Sequence, residues 1–180
     1  MSSKLDTAYA VLAGGCFWCL EALFERIPGV VSVVSGYSGG EIEDPTYEQV
    51  CTGDTGHAEA VRIEFDPNRI SYNEILSYFW KSHDPTTRNR QGADVGTQYR
   101  SVIFYSDEEQ REQAGVSMDE IERSGMLRRK IVTELVPLEK FYPAEEYHQH
   151  YFERNPGAGY CRIVIRPKVD KIEVELRQKS

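Results

Sequence analysis

The order of apolar patterns along the chain constrains its fold more than any other feature of the sequence. Residues 8–13 form a short apolar run that two glycines end, which predicts a buried strand. Residues 16–27 carry apolar side chains at helical spacing, and a Pro-Gly pair ends this pattern. Residues 30–34 are rich in β-branched side chains and predict a second strand. The first part of the chain therefore has β-α-β order.

The same order returns after residues 35–56, whose glycines and few apolar side chains predict a long loop. Alternation over residues 58–65 predicts a strand, and Ser71 with Glu74 forms a capping box for a helix that ends near Lys81. A polar loop then leads into a strand predicted over 99–105.

Three further elements complete the prediction. Asp107 can cap a charged helix that ends near Gly125, and residues 131–136 predict a strand. Pro143 fits the first turn of a last helix that ends near Arg154. The whole order predicts an α/β (α+β) fold with a ferredoxin-like βαββαβ core, a mixed or antiparallel sheet and an added C-terminal helix. We expect one domain over 1–180, with 1–7 as a loose terminus and 168–180 as either a short helix or a loose tail.

Charge and hydropathy exclude some classes of function. The 21 basic and 29 acidic residues give a net charge of −8, which disfavours binding to nucleic acid and to anionic membranes. No apolar run is long enough to span a bilayer, and the first residues lack the apolar segment of a signal peptide. We therefore expect a cytoplasmic protein. In a reducing compartment its four cysteines indicate metal binding or redox catalysis before structural disulfides.

Cys16 follows two glycines at the predicted junction between the first strand and the first helix. The unpaired N–H groups and the dipole of a helix N-terminus stabilise an anion, so we expect a lowered pKa and a reactive thiol. The alternative is a small buried apolar residue, the usual state of a free cysteine.

The neighbours of Cys16 suggest two kinds of chemistry. Cys19 lies one helical turn away, a spacing that resembles the redox motif of thioredoxin-like proteins. A zinc site would need two more ligands, and Cys51 and Cys161 offer no second paired spacing. Phe17 and Trp18 could line an apolar pocket or belong to the core.

Glu59 stands between two alanines where a predicted strand begins, directly after a glycine-rich loop. A carboxyl group that enters a sheet is costly when charged, so its pKa tends to rise. A raised pKa suits a general acid at neutral pH. The alternative is a solvated carboxylate at the end of a strand.

Six segments occur together and in order: GCFWC (15–19), SGYSGG (35–40), PTYEQVCTGDTGHAEAV (45–61), HDPTTRNRQGADVGTQYRS (83–101), FYPAEEYHQHY (141–151) and NPGAGYC (155–161). In this combination the chain resembles the methionine sulfoxide reductase A family. The resemblance spans about residues 8–165 and implies an α/β sandwich, in agreement with the βαβ pattern.

The resemblance implies a role for each matching residue. Cys16 attacks the sulfur of a methionine sulfoxide, and Glu59 protonates the oxygen. Tyr47 and Tyr99 hydrogen-bond that oxygen, and Asp94 helps to position the substrate.

Three aromatic positions also match the family. Phe17 and Trp18 correspond to an apolar pocket for the methyl group of the substrate. His148 lies either at the rim of that pocket or in a helix, where neighbouring groups satisfy its hydrogen-bonding atoms.

Recycling of Cys16 needs a second thiol. The resemblance implies a sulfenic acid on Cys16 that condenses with this thiol to a disulfide, which thioredoxin, or dithiothreitol in vitro, reduces. It favours Cys161 over Cys19 as the resolving residue, with Cys51 third, although residues 162–168 predict a strand.

The remaining implications concern substrate, cofactor and assembly. The substrates are the S epimer of methionine sulfoxide, free and in oxidised proteins and peptides. No metal or organic cofactor is expected, and the chain is expected to be a monomer.

Two other functions remain open on the residues alone. A general thiol-disulfide oxidoreductase would need only Cys16 and Cys19 and would leave Glu59 and the tyrosines without a role. A non-catalytic module could recognise methionine side chains or hold zinc.

Overall fold

The computed structural model describes residues 6–179. In chain order its strands are β1 (Ala8–Ala13), β2 (Val30–Ser38), β3 (Ala58–Phe65), β4 (Arg90–Gln91), β5 (Asp94–Val95), β6 (Val102–Tyr105), β7 (Glu134–Pro137) and β8 (Phe141–Pro143). Its α-helices are α1 (Phe17–Phe24), α2 (Tyr47–Cys51), α3 (Tyr72–Ser82), α4 (Glu108–Arg123), α5 (Tyr151–Arg154) and α6 (Arg166–Lys179). Short 3₁₀ turns occur at Thr97–Tyr99 and Glu146–His148, and a π-helical turn at Cys161–Ile165.

Six of the strands form one mixed sheet in the order β7-β6-β1-β3-β2-β8. Neighbours pair antiparallel except β6 and β7, which are parallel. Strands β4 and β5 form a separate small hairpin. The prediction of a mixed α/β fold is therefore confirmed, while the ferredoxin-like assignment of the central strands stays a prediction.

Alternation along the central strands gives the sheet two different faces. Leu12 of β1 and Val61 of β3 belong to the large core, which includes buried residues of α1, α3 and α6. Their neighbours Val11 and Ala60 point to the other face, where a smaller apolar cluster packs against Phe141. The helices thus cover one face of the sheet, and Glu59 lies on that face by the same alternation.

The segment after Cys161 is helical, so the predicted strand there is wrong. Cys161 and Ile165 are fully buried, whereas Ile163 between them is 75% exposed. The alternation of polar and apolar residues suggested a strand, in which every second residue shares a face. In the structure, residues four apart share the buried face, as in a helix. Of the two alternatives for 168–180, the structure has the helix, since α6 runs to Lys179 and buries Ile172. Residues 1–5 and Ser180 lie outside the described residues.

The helix predicted over 143–154 is wrong as well. Pro143 ends β8, which pairs with β2 at the edge of the sheet, where a residue without an N–H group is tolerated. His150 has φ +54°, a left-handed conformation that separates the 3₁₀ turn from α5. The C-terminal helix is therefore α6, formed by a segment that carried no clear pattern.

Other boundaries differ less. The loop predicted over 35–56 contains the end of β2 and also α2, for which Thr46 and Gln49 form a capping box. Ser71 and Asp107 cap α3 and α4 as predicted. None of the helices in the described part of the chain is long and apolar enough to cross a membrane.

Substitution of Ile172 by alanine tests whether α6 is docked. Ile172 is 2% exposed, so we expect the free energy of unfolding to fall by about 2–4 kcal/mol in urea titrations. Val174 is 50% exposed on the same helix, and Val174→Ala should cost less than about 1 kcal/mol. Equal effects of the two substitutions would contradict a docked α6.

Candidate active site

Cys16 occupies the N-cap position of α1, where β1 ends. The chain turns there at Gly15, whose φ of +89° favours glycine. A Cβ atom on Gly14 would lie 2.9 Å from the ring of His83, and one on Gly15 would lie 2.7 Å from Gln91 Cγ. The two glycines thus allow close packing of the 83–91 segment against the turn that presents Cys16.

Glu59 lies beneath the first turn of α1. Its side chain is 1% exposed, and its Oε1 accepts a hydrogen bond of 3.2 Å from the backbone N–H of Phe17. The other oxygen, Oε2, is buried without a hydrogen-bond partner among the described residues. Burial raises the pKa of Glu59 to about 8, and the charges of Asp94 and Cys19 act in the same direction. The carboxyl group is therefore protonated at neutral pH and has an oxygen available to a ligand.

The thiol of Cys16 differs from the sequence prediction. Burial raises its pKa well above the usual value, assisted by the Cys19 thiol and by the charge of Glu59. The predicted lowering is thus wrong for the free protein, because Cys16 is only 8% exposed. Interaction with the Cys16 thiol lowers the pKa of Cys19, with help from Lys168 and Tyr160.

Tyr47 and Tyr99 come from two different short turns. Tyr47 begins α2, and Tyr99 ends the 3₁₀ turn before β6. Burial and the charge of Glu59 both raise their pKa values, so each hydroxyl is protonated at neutral pH. Both predicted tyrosines thus interact electrostatically with Glu59.

Asp94 lies in the small hairpin and contacts the site through a tyrosine. Its Oδ2 accepts a hydrogen bond of 2.7 Å from the Tyr160 hydroxyl, which lies 3.8 Å from Cys19 Sγ. Asp94 also interacts electrostatically with Glu59. The predicted position of Asp94 at the site is thus supported, with Tyr160 as its link to the cysteines.

Aromatic rings form the wall beside Cys16. Trp18 is half-buried, stacks on Tyr151 at 3.7 Å between ring centroids, and donates a hydrogen bond of 3.1 Å from Nε1 to His148 Nδ1. Phe17 is fully buried and packs against His148 and Tyr47 at 5.3 and 6.5 Å. Trp18 therefore remains accessible to a substrate, whereas Phe17 supports the wall from the core.

His148 belongs to this wall, although it lies in a 3₁₀ turn and not in a helix. It is 1% exposed, its ring lies 4.3 Å from that of Tyr47, and burial lowers its pKa. Its Nε2 has no partner among the described residues.

Three functional positions were not singled out from the sequence. Tyr160 and Tyr151 contact Asp94 and Trp18 as described above. Glu145 accepts hydrogen bonds of 3.0 Å from the Tyr37 hydroxyl and from the backbone N–H of Tyr47, so it fixes the start of α2. All three lie in segments that carry the family resemblance. Their pairing with Asp94, Trp18 and Tyr47 is visible only in the structure.

The other cysteines have different environments. The backbone N–H of Cys19 donates to the Cys16 carbonyl at 3.1 Å, and Cys161 is fully buried and interacts electrostatically with Cys19. Cys51 is exposed beside Tyr47. Among residues 6–179, the three-residue group close enough to hold a metal is Glu21, Glu25 and His150, which contains none of these cysteines.

Comparisons with known proteins identify the family. The family model described as peptide methionine sulfoxide reductase matches residues 8–180. The chain belongs to this family. A peptide methionine sulfoxide reductase MsrA of Nautilia profundicola is 57% identical over 162 residues, covering 90% of this chain and 92% of that protein. The MsrA of Sulfolobus acidocaldarius is 56% identical over 171 residues, covering 95% and 96%. Members of the family are oxidoreductases.

Solved structures agree with this membership. Mxr1 of Saccharomyces cerevisiae in reduced form is 35% identical, with a TM-score of 0.79 over 89% of this chain and 92% of that chain. Mxr1 in complex with Trx2 is 26% identical, with a TM-score of 0.56 over 83% and 90%. The methionine sulfoxide reductase A of Corynebacterium diphtheriae has a TM-score of 0.78 at 35% identity, over 88% and 79%.

The raised pKa of Glu59 predicts a pH dependence of stability. Between pH 4.5 and about 8 the folded carboxyl group keeps a proton that the unfolded chain releases. The contribution of Glu59 to the free energy of unfolding therefore falls as pH rises through this window, by on the order of 5 kcal/mol. In urea titrations across this pH range, Glu59→Gln should remove this contribution, including all of the fall above pH 7, and leave that of Glu21, whose pKa burial raises to about 7.

Glu64 provides a control on the same strand. Its carboxylate accepts hydrogen bonds from Thr7 and Ser32, which lower its pKa. Glu64→Gln should therefore leave unchanged the decrease in the free energy of unfolding with rising pH that Glu59 causes. Parallel pH profiles for wild type and Glu59→Gln would contradict the raised pKa.

Proposed function

We propose that this protein reduces methionine S-sulfoxide to methionine, both in oxidised proteins and as the free amino acid. The observation that carries the proposal is the pairing of Cys16 with Glu59. A cysteine at the start of α1 lies above a buried, protonated carboxyl group that has one oxygen without a partner. Two protonated tyrosines near this carboxyl group complete a site for a polar oxygen atom.

The first step transfers an oxygen atom. The sulfur of Cys16 attacks the sulfoxide sulfur while Glu59 donates its proton to the sulfoxide oxygen. The sulfur–oxygen bond of the substrate then breaks, the protonated oxygen passes to the sulfur of Cys16, and the transient bond between the two sulfur atoms breaks. Methionine leaves with two more electrons, and Cys16 becomes a sulfenic acid. Tyr47 and Tyr99 donate hydrogen bonds to the oxygen as its charge develops. Asp94 orients the substrate through the network of Tyr160.

Deprotonation of Cys16 needs a local base, since burial raises its pKa. Cys19 lies one helical turn from Cys16, with its N–H donating to the Cys16 carbonyl at 3.1 Å, and the Cys16 thiol and Lys168 lower its pKa, so it can accept the Cys16 proton as the substrate sulfur approaches. This assigns the reactivity of Cys16 to its partner thiol and not to the helix dipole alone.

The aromatic wall selects the methyl group of the substrate. Trp18 is held by the stack on Tyr151 and by the hydrogen bond to His148, so its ring offers a fixed apolar surface. Phe17 supports this surface from the core.

Regeneration of Cys16 uses a disulfide. The family resemblance favours Cys161, but Cys19 lies one helical turn from Cys16 and lines the same cavity, which supports Cys19 as the resolving residue. Cys19 attacks the sulfenic acid, and water leaves. Cys161 is fully buried within a π-helical turn and would require movement of that turn to reach Cys16.

Thioredoxin then reduces the disulfide, with dithiothreitol as its substitute in vitro. The complex of the related Mxr1 with Trx2 supports this choice of partner. The reaction needs no metal or organic cofactor, and we place the protein in the cytoplasm as a monomer that repairs oxidised proteins.

A single-turnover assay with an S-sulfoxide peptide tests the proposal. Wild type should release one methionine per chain without added reductant, and Cys16→Ser should release none. Glu59→Gln should slow the step by about 10²–10⁴-fold, since it removes the proton donor. Absence of methionine in the wild-type reaction would refute the proposed activity.

Cysteine variants identify the resolving residue and separate the alternatives. With thioredoxin as reductant, Cys19→Ser should lose turnover while Cys161→Ser retains it. Methionine formation in a single turnover by Cys19→Ser would exclude a general oxidoreductase that needs both thiols. Stoichiometric zinc in the purified protein without methionine formation would support the binding module.

Glu145 provides a test of how Tyr47 is positioned. Glu145→Gln replaces one of the two oxygens that accept from Tyr37 and Tyr47, so kcat/KM should fall about tenfold. Glu146 is the exposed neighbour, and Glu146→Gln should change kcat/KM less than twofold by the same assay. Equal kinetics for both variants would contradict this positioning.

A further inference from the structure

The turn formed by residues 148–151 supplies two partners of the Trp18 ring. At one end of the turn, His148 accepts the hydrogen bond from Trp18 Nε1. At the other end, Tyr151 stacks on the Trp18 ring with an angle of 7° between the ring planes. The orientation of the Trp18 ring therefore depends on the groups that hold this turn in place.

Glu21 lies on α1 one turn after Trp18, and its buried carboxyl group contacts the 148–151 turn. The residue is 2% exposed. Its Oε1 accepts a hydrogen bond from the backbone N–H of His150, and its Oε2 accepts one of 2.7 Å from the Ser35 hydroxyl on β2. A single side chain thus joins the turn to the helix that carries Trp18.

Gln149 holds the same turn against β2. Its Oε1 accepts a hydrogen bond of 3.0 Å from the backbone N–H of Ser35. Its Nε2 donates to the carbonyl oxygens of Ser35 and Ala144 at 2.9 and 3.1 Å. The turn is therefore held at two consecutive residues, one by β2 and the next by Glu21.

The backbone of His150 has a conformation that needs such support. Its φ of +54° and ψ of +35° lie in the left-handed region, which residues other than glycine adopt rarely. His150 is also the N-cap residue of α5, so its conformation sets the direction in which Tyr151 leaves the turn. Its Nδ1 lies 2.6 Å from Glu25 Oε1, but only the bond to Glu21 holds its backbone.

We propose that Glu21 is a positioning residue for substrate binding, which holds the 148–151 turn so that the Trp18 ring stays in place for the methyl group of the substrate. The proposal rests on the proposed function, in which Trp18 offers the apolar surface for that group. Glu21 acts through the turn, because both of its oxygens are already engaged by Ser35 and His150.

Two substitutions separate the polar role of Glu21 from its volume. Glu21→Leu keeps a similar volume and leaves the His150 N–H group buried without its acceptor. Glu21→Gln keeps an oxygen for this N–H group. Burial raises the pKa of Glu21 to about 7, so the neutral amide resembles a form that the wild type populates at neutral pH.

Glu153 provides a matched control on the other side of the same contact. It joins α5 to Arg26, just after α1, through an ion pair of 2.7 Å at the protein surface. Glu153→Gln therefore weakens a link between the same two helices without changing the 148–151 turn.

Single turnovers with an S-sulfoxide peptide and its ethyl analogue, each over a range of concentrations, test the proposal. Glu21→Leu should raise the half-saturating concentration about tenfold and change the maximal rate less than about threefold, since the wall contacts the methyl group before and during the reaction. Wild type should prefer the methyl sulfoxide about tenfold, and Glu21→Leu should lower this preference to about threefold, because a loosened wall admits the larger group. Glu21→Gln should recover most of both values, and Glu153→Gln should not change them.

Quenching of Trp18 fluorescence by acrylamide gives a readout that needs no activity. The chain has two tryptophans, so Trp18 is the only one in a Trp80→Phe background. Quenching should increase in Glu21→Leu and stay unchanged in Glu153→Gln. If urea titrations show that Glu21→Leu does not fold, Ser35→Ala, which removes only the donor to Oε2, should show the same changes at a smaller size.

The outcomes separate this proposal from the proposed function. Methionine release by wild type, with the same saturation, methyl preference and quenching in Glu21→Leu as in Glu153→Gln, would overturn the positioning role alone. A loss of stability in Glu21→Leu without a change in these three measurements would also overturn it. Absence of methionine in the wild-type reaction would instead refute the proposed function.

Discussion

The hydrogen bond from the Phe17 N–H group to Glu59 Oε1 joins the first turn of α1 to β3, and the arrangement of the site depends on it. A helix N-terminus leaves backbone donors unpaired, and a buried carboxyl group needs a donor, so each satisfies the other. The bond places Glu59 directly under the residue that follows Cys16. It uses only one oxygen, which leaves Oε2 for another partner. One contact therefore joins α1 to the sheet and holds beside Phe17 the protonated acid that the proposed mechanism uses.

The same burial explains the cysteine pair. Removal of Cys16 from water disfavours its thiolate, while the Cys16 thiol and Lys168 favour the thiolate of Cys19. The negative charge of the pair is thus favoured on Cys19, to which Lys168 of α6 contributes. This suits the proposed reaction, in which Cys16 loses its proton and Glu59 gives one to oxygen. It also explains why the C-terminal helix affects the chemistry of a residue near the start of the chain.

Much of the fold was predictable where periodicity and caps agree. The β1–α1–β2 order follows from the local pattern of apolar residues, because burial on one face of an element repeats with the period of that element. The starts of α3 and α4 follow from their capping residues. The prediction failed for residues 143–154 and 162–168. There, pairing of β8 with β2 and docking of α6 decided the conformation, and neither contact is local. Glu59 was predictable as a buried acid, whereas Glu145 and Tyr160 were not, since their partners lie 98 and 66 residues away.

The sequence by itself determined which residues can react. A cysteine after two glycines at the start of a helix and a glutamate on the apolar face of a strand are local patterns, and local geometry is sufficient to read them. Only the tertiary structure decided the protonation of these groups, because pKa depends on burial and on charges brought together from distant segments. It raised the pKa of Cys16, lowered that of Cys19, and placed Lys168 beside the pair.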